Sequence, residues 1–422
     1  MMLPQTESYT AERAIADIDA AQLEGIVSRA LGEPVTIIAW QVILLGGLDS
    51  SPMAGGVYRV EGTAVTPINI IRDWSMVVKI LRSPEGLTMP DGTLLTKEMA
   101  ETPNNFGYWQ REVLAAQSDL LAGLPAGLRA PRFLGVTHIS KRECWLWQEY
   151  LPDDTNWTWA DYGEAAFRLG QWQGACSKPP DTSWLSQDWL AAWVHGPLTN
   201  ILGMVEGMNG YQHPLLTTHF APEELAALRQ LWANRQTYLD RLVRLPKTLC
   251  HLDAHRGNLS RQNGDLALLD WAFVGVGALG EELAAFIGAT LLLDYVPLAD
   301  AAQLEQVAFD GYVAGLRAAG WSGGEVIIWE AYRCAMPLRY APMSLASMLR
   351  AAVQPEFAAD WERKTGKPLA DILAHRAGLV RFVLQGHAVA ASQKRVAPHP
   401  QHQASLPGMY LTHLRDGAST RQ

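Results

Sequence analysis

The stretch HLDAHRGNLSRQNGDLALLDW, beginning at His251, holds the densest set of reactive side chains in the sequence. Asp253, Asn258 and Asp270 supply two carboxylates and one amide oxygen. Between them, Asn263-Gly264 is a hairpin signal, because a type I′ turn needs positive φ at both central residues. The flanks NLSR and DLALLDW can pair across that turn. Asn258 then opens one strand, Asp270 closes the next, and both emerge at one end. The loop DAHRG carries Asp253 to the same end. Hard oxygens grouped in this way suit a magnesium ion that keeps waters and bridges phosphates. A carboxylate beside such an ion can take the proton of an attacking hydroxyl. That chemistry is phosphoryl transfer, in which a protein chiefly positions groups and neutralises charge. Asp265 reads as plain turn chemistry, and an isolated strand-end aspartate is often structural. The joint pattern H-x-D-x-x-x-x-N, a tight hairpin and L-L-D-W carries the functional reading.

The elements that must hold these residues are legible in the hydrophobic pattern. ERAIADIDAAQLEGIVSRAL has helical spacing up to Leu31, with Gly32 as its terminator. VTIIAWQVILLGG, VYRVEGTAV and WSMVVKIL read as strands, the third carrying Lys79 near its end. GGLDSSPMAGG connects the first two. RSPEGLTMPDGTLLTKEMAETPNN is rich in turn signals and reads as a long loop. YWQREVLAAQSDLLAGL then reads as one helix, and PRFLGVTHI and ECWLWQEYL as a strand pair. The sum is a small sheet of about five strands with one helix between the third and fourth. From Pro152 the texture is helical, with amphipathic runs at DYGEAAFRLGQWQGAC, PEELAALRQLWANRQTYLDRLVRL and DAAQLEQVAFDGYVAGLRAAG. The fold class is therefore α+β with two lobes, 1–151 and 152–422. The final QKRVAPHPQHQASLPGMYLTHLRDGASTRQ reads as a peripheral tail.

The 422 residues are 48% hydrophobic and 18% charged, enough to build a substantial core. A formal net charge of -9 argues against a nucleic-acid partner. Cys144, Cys176, Cys250 and Cys334 form no CxxC pair and read as buried free thiols in a reducing compartment. The polar, acidic N-terminus lacks the marks of a signal peptide. LAAFIGATLLLDYVPL is broken by Asp294 and Pro297, too short for a membrane span, and reads as a buried helix. These features imply a cytoplasmic protein with no membrane partner; they say nothing of oligomeric state.

His251–Trp271 resembles the aminoglycoside phosphotransferase and choline kinase-like family, within the protein kinase-like fold. HLDAHRGN is similar to that family's catalytic loop, and LLDW to its metal-binding motif. A looser resemblance runs from about Val35 to Gly315. It implies a small antiparallel-sheet N-lobe that binds nucleotide; the N-terminal helix, an extension of that lobe, and the tail lie outside the resemblance. It also implies a larger, mainly helical C-lobe carrying the catalytic loop, the metal site and the acceptor pocket. By this resemblance Asp253 is the catalytic base or hydroxyl-orienting acid, His251 braces the loop, and Asn258 and Asp270 hold magnesium. Lys79 contacts the nucleotide phosphates and Glu112 pairs with it; Glu98 and Glu101, its competitors, fall in the expected loop. Taken alone, a lysine at the end of an apolar strand is as often a snorkelling residue. WQEYL is the expected hinge, where the backbone of Glu149 and Leu151 would meet adenine. GGLDSSPMAGG covers the phosphates, although it departs from G-x-G-x-x-G. Arg256 stands where the family often has proline and is expected to be exposed. Glu281 and Glu282 replace a more usual aspartate and are given a structural role.

The function so implied is transfer of the γ-phosphate of ATP or GTP to a hydroxyl of a small molecule, with Mg2+ as cofactor. An aminoglycoside-like compound, a sugar and an amino alcohol are all open as acceptors. DDTNWTWADYGE offers Asp153, Asp154, Asp161 and Glu164 among Trp157, Trp159 and Tyr162, which could bind an amino group. Core packing is the stronger alternative in a chain with 16 tryptophans. The competing function is a catalytically inactive, nucleotide-binding regulatory protein of the same fold. A protein kinase is disfavoured by DW in place of DFG and by the lack of an APE-like segment.

Overall fold

A computed structural model describes residues 12–392, apart from 48–52, 89–93, 104, 106, 153–155, 177, 208–209 and 263. Asn263, Asp153, Asp154, part of GGLDSSPMAGG and the C-terminal tail lie outside these residues.

The N-terminal region is a five-stranded antiparallel sheet behind helix α1 (Ala20–Leu31). Its first three strands are β1 (Thr36–Gly46), β2 (Ala54–Val65) and β3 (Ile71–Arg82). Next come α2 (Lys97–Glu101), α3 (Arg111–Gln117) and the short β4 (Leu128–Arg129), then β5 (Phe133–Ser140) and β6 (Glu143–Glu149). The strand order is β1-β2-β3-β6-β5. Period-2 alternation divides β3 between two environments. Met76, Val78 and Ile80 point to one face, where Tyr58, Val60 and Trp147 join Leu23, Ile26 and Val27 of α1. Each such aliphatic side chain contributes ~1.5–3 kcal/mol on burial. The helical extension is thus part of this lobe's core. Lys79 and Leu81 point to the other face, where Leu81, Cys144 and Leu146 pack on Trp109 and Val113.

Three expected elements differ in detail. The N-terminal helix is broken after 12–16, because the Asp19 carboxylate accepts the Gln22 N–H and starts α1 afresh. The expected long loop contains α2, capped by Thr96 through the Met99 N–H, so Glu98 and Glu101 are helical. The helix at 108–124 is α3 alone, followed by a 3₁₀ turn (Asp119–Gly123) capped by Ser118. The sheet therefore carries two helices, not one, between β3 and β5.

The helical region opens with α4 (Trp159–Ala175). After β7 (Ser186–Gln187) come α5 (Trp189–Trp193), α6 (Thr199–Gly207), α7 (Pro214–His219), α8 (Pro222–Ala233) and α9 (Arg235–Arg244). Asn234 separates α8 from α9, where one continuous helix was expected. β8 (Lys247–Cys250) leads into the 251–258 loop; β9 (Leu259–Gln262), β10 (Asp265–Leu268) and β11 (Gly275–Ala278) follow. The region ends with α10 (Glu281–Leu292), α11 (Ala301–Ala318), α12 (Glu325–Val353), α13 (Pro355–Thr365) and α14 (Leu369–Ser392). Buried residues run from Glu281 to Leu291, so α10 is the expected buried helix and the axis of this region. At Gly170, Gly311 and Gly315 an added Cβ would overlap the facing backbone, which lets α4 and α11 pack in close contact. No described helix is long and apolar enough to cross a membrane. The four cysteines are free, and Cys176 is partly exposed where burial was expected.

Candidate active site

The hairpin brings the expected groups to one end. Gln262 pairs with Asp265 across a two-residue turn in which Gly264 has φ 90°. Leu268 pairs with Leu259, and the Leu269 N–H donates to the Asn258 carbonyl at 2.8 Å. Asn258 and Asp270 therefore leave the hairpin side by side. The Asn258 side-chain nitrogen donates to the Asp253 carbonyl at 2.9 Å and to Asp253 Oδ2 at 3.2 Å. Among the described residues its amide oxygen has no hydrogen-bond partner.

Two backbone conformations accompany this cluster. Leu252 (φ 66°) and Asp270 (φ 61°) are left-handed, non-glycine residues. Each costs of order 1–3 kcal/mol and persists only where surrounding contacts over-determine it. For the loop, those contacts come from Glu282 at the start of α10. Its carboxylate accepts the N–H groups of His251 (2.7 Å), Leu252 (3.0 Å) and Ala254 (3.3 Å). Gln173 of α4 donates to the same carboxylate at 3.1 Å and accepts from the Tyr312 hydroxyl of α11. Burial raises the Glu282 pKa to about 7, although these N–H groups favour its charged form. Glu281 accepts the Ala278 N–H at 2.9 Å. Both glutamates thus have structural partners, and Glu282 is the one that holds the loop.

His251 is fully buried, and its Nδ1 accepts the Asp253 N–H at 3.2 Å. Burial lowers its pKa to about 3, so it is neutral and braces the loop. Its ring meets that of Trp271 edge-on at 4.8 Å, and the Trp271 indole N–H donates to the Leu268 carbonyl at 2.8 Å. Burial raises the Asp253 pKa above the ordinary carboxylate value, against the opposing pull of Arg339. His255 is also pushed toward neutrality by burial, and its Nδ1 accepts the Gly257 N–H at 3.0 Å.

Lys79 joins the two regions. Its ammonium lies 2.6 Å from Glu112 on α3 and 2.6 Å from Asp270 Oδ1. Burial works against the ammonium, but Asp270 and Glu112 outweigh it and hold the pKa above its ordinary value. Asp270 is likewise held below the ordinary carboxylate value: burial works against its charge, and Lys79 outweighs burial. The Asp270 side chain remains 40% exposed.

Several contributors were not legible in the sequence. Arg111 is buried beside Glu112 and donates to the carbonyls of Ala272 (3.0 Å), Trp184 (3.0 Å), Pro103 (2.9 Å) and Asn105. It ties α3 to the segment after Asp270, and its only sequence signal is its place next to the glutamate. Arg339 of α12 donates to the Leu252 carbonyl at 2.5 Å and to Asp253 Oδ1 at 2.8 Å. Nothing in the motif announces it. Gln148 lies opposite Val77, on the face of the sheet that carries Lys79. Its buried side-chain oxygen has no hydrogen-bond partner among the described residues.

The expected hinge and acceptor segment divide differently. The Glu149 N–H donates to the Arg132 carbonyl at 3.0 Å, and its carboxylate accepts from Arg129 and from the Arg132 N–H at 2.6 Å. That N–H is therefore committed within the lobe. Leu151 follows β6 and is partly buried. Asp161 is engaged by neighbouring side chains. It closes a capping box with Thr158 and pairs with Arg261. Glu164 pairs with Arg168 at 2.7 Å, and Tyr162 is buried. Trp157 lies under Arg256 (4.7 Å to the ring centroid) and near Arg261 (5.8 Å). Arg256 is 2% exposed, against the expectation of an exposed side chain. Stacking on Trp157, with Tyr295 at 5.5 Å, shelters its charge.

A family model described as the phosphotransferase enzyme family matches residues 110–321, half of the chain, and the chain belongs to that family. It is a phosphotransferase with an alcohol group as acceptor, built from an antiparallel sheet and a larger helical region. Among solved structures it is similar to an aminoglycoside phosphotransferase from Alicyclobacillus acidocaldarius (14% identity, TM-score 0.48), over 79% of this chain and 90% of that one. It is also similar to a spectinomycin phosphotransferase bound to ADP and spectinomycin (13%, TM-score 0.47), over 88% and 99% of the two chains. A third is the choline kinase of Streptococcus pneumoniae (15%, TM-score 0.43), over 87% and 99%. No curated protein matches the chain.

Proposed function

We propose that the protein transfers the γ-phosphate of ATP or GTP to a hydroxyl of a small molecule at the Asp253–Asn258–Asp270 cluster. The observation that carries this reading is the convergence of Lys79, Glu112 and Asp270 within ion-pair distance, next to an Asn258 bonded to Asp253. Lys79 is the phosphate contact, set in place by Glu112. Asp253 orients the acceptor hydroxyl and takes its proton on Oδ2, while His251 and Asn258 hold it in position. The acceptor oxygen forms a bond to the γ-phosphorus as the bond from that phosphorus to the β,γ-bridging oxygen breaks, and the nucleoside diphosphate leaves.

The donor set fits magnesium. Asn258 and Asp270 would hold it through an amide oxygen and a carboxylate oxygen, both hard ligands. Among the described residues no group of three His, Cys, Asp or Glu could hold a metal unaided. Magnesium is bound in that manner, by one or two protein oxygens completed by phosphate and water. When bound, it neutralises phosphate charge. Glu149 and Leu151 lie where the purine edge would meet the backbone, with the carbonyl of Glu149 and the N–H of Leu151 as the contacts. The region before 152 is read as the nucleotide lobe and the rest as the acceptor lobe, in a cytoplasmic protein. Aminoglycoside-like compounds, sugars and amino alcohols are the acceptor classes to test. Consumption of ATP and of GTP, each with magnesium, is measured across such a panel, with Asp270→Asn as the control. Consumption that requires one acceptor class and is lost in the variant is expected. Nucleotide binding without consumption for any acceptor would favour the inactive, regulatory reading.

A further inference from the structure

Helix α12 contains two internal prolines, Pro337 and Pro342, and Arg339 lies between them. Each proline removes an N–H from the helix ladder, so the carbonyls of Arg333 and Leu338 lose their usual donors. Bending of long helices concentrates at such positions. The neighbouring Tyr340 seats this segment on α10. Its ring lies where a Cβ on Gly288 would be, and its hydroxyl lies 3.4 Å from the Ala285 carbonyl. Only glycine at 288 allows that approach. The helix then presents Arg339 to the 251–258 loop.

The guanidinium is placed by more than the loop. It lies over the Trp189 ring at 4.5 Å and near Tyr340 at 5.4 Å, and its side chain is 11% exposed. Its two donors reach the carbonyl of Leu252, a left-handed residue, and one carboxylate oxygen of Asp253. Glu282 grips the N–H groups of the same loop from α10. The loop is therefore clamped by the Glu282 carboxyl group on its donors and by a cation on its acceptors, from two helices packed on each other. With Oδ1 of Asp253 on Arg339 and Oδ2 accepting from Asn258, one lone pair of Oδ2 remains for the acceptor hydroxyl.

We propose that Arg339 is a positioning residue for phosphoryl transfer: it fixes the rotamer of Asp253 and the backbone beneath it, and so sets the rate without setting nucleotide affinity. This rests on the reading of Asp253 as the base. A displaced base of about 1 Å costs roughly 10²-fold in rate, and that is the loss expected of Arg339→Met.

The test uses the full chain, with magnesium-ATP and the pooled acceptor panel as probe. Arg339→Met, Arg339→Lys, Asp253→Asn and Asp253→Asn/Arg339→Met are compared for kcat, for the Kd of magnesium-ATP and for Tm. Arg339→Met is expected to lower kcat by about 10²-fold with an unchanged Kd, and Arg339→Lys to recover part of that loss. The Tm losses of the single variants should exceed that of the double, because removing one partner strands a buried charge and removing both does not. Should Arg339→Met fail to fold, Arg339→Lys and the double variant carry the comparison. Additive Tm losses with a slow Asp253→Asn remove the clamp and keep the base. Non-additive losses with a fast Asp253→Asn keep the clamp and remove the base. Either result overturns the proposal, as does an Arg339→Met whose acceptor KM rises while kcat holds.

Discussion

Two segments of this chain have nearly the same ingredients. HLDAHRGN with LLDW, and DDTNWTWADYGE, each mix acids with tryptophan. In the second, the described acids are satisfied close at hand: Asp161 by Thr158 and Arg261, Glu164 by Arg168 one helical turn away. In the first, the acids are held by groups remote in sequence: Asp270 by Lys79, Asp253 by Arg339, and the loop between them by Glu282. The first also contains two left-handed, non-glycine residues. Composition does not distinguish these two segments. Left-handed backbone held in place by distant charges does.

The contrast can be broken most directly by substituting one aspartate from each segment. Asp253→Ala is expected to lower turnover by ~10²–10⁴-fold. Asp161→Ala should leave turnover intact and cost about 1 kcal/mol, as loss of a helix cap does. Denaturation midpoints and initial rates decide it, and similar rate losses for both would erase the distinction. Lys79→Met strands Glu112 and Asp270. Breaking a buried pair costs ~3–5 kcal/mol, and the low end is expected because Asp270 is 40% exposed. A variant as stable as the native chain would show the lysine to be a snorkelling residue after all.

Glu282→Gln sharpens the comparison through pH. The folded-state pKa of about 7 lies above the ordinary glutamate value of 4.5. Between these values the folded state binds the proton more tightly than the unfolded state. The contribution of Glu282 to stability therefore falls as pH rises through that window. The glutamine variant should lack this part of the slope in a series of unfolding curves; an identical slope would mean that Glu282 ionises normally. The smallest effect is expected at Gln148, whose unpaired side-chain oxygen faces the side of Lys79. Gln148→Met should change the ratio of ATP to GTP consumption by roughly 3- to 10-fold, the scale of one hydrogen bond. An unchanged ratio would remove it from base selection.

How far these contrasts can be read without coordinates depends on the range of the interaction. The hairpin that unites Asn258 with Asp270 is local, and a two-residue turn encodes it. Lys79 and Glu112 are separated by a long connection, yet strand alternation places one on the sheet face that meets α3 and helix spacing places the other. Arg111, one residue earlier, shows no periodic signal, because its work is done on backbone carbonyls that carry no side-chain signature. Arg339 is invisible for the same reason, and further because it lies 86 residues from its partner, in a helix that also carries Glu325, Glu330, Arg333 and Arg350. Three of the four helix boundaries that differ from expectation share a cause. Asp19, Thr96 and Ser118 accept backbone N–H groups and restart the chain where hydrophobic spacing alone ran on. Arg256 was misplaced because a charged residue in a polar motif reads as exposed, and only the fold shows the aromatic rings around it.

The central claim is that Asp253, Asn258 and Asp270 form one phosphotransfer site. Single-turnover transfer of labelled γ-phosphate from magnesium-ATP to the acceptor panel, compared between the native chain and Asp253→Ala, tests it most directly. The account predicts label on a hydroxyl of one acceptor class with the native chain and at least ~10²-fold slower labelling with the variant. Labelling at the native rate in Asp253→Ala would contradict it.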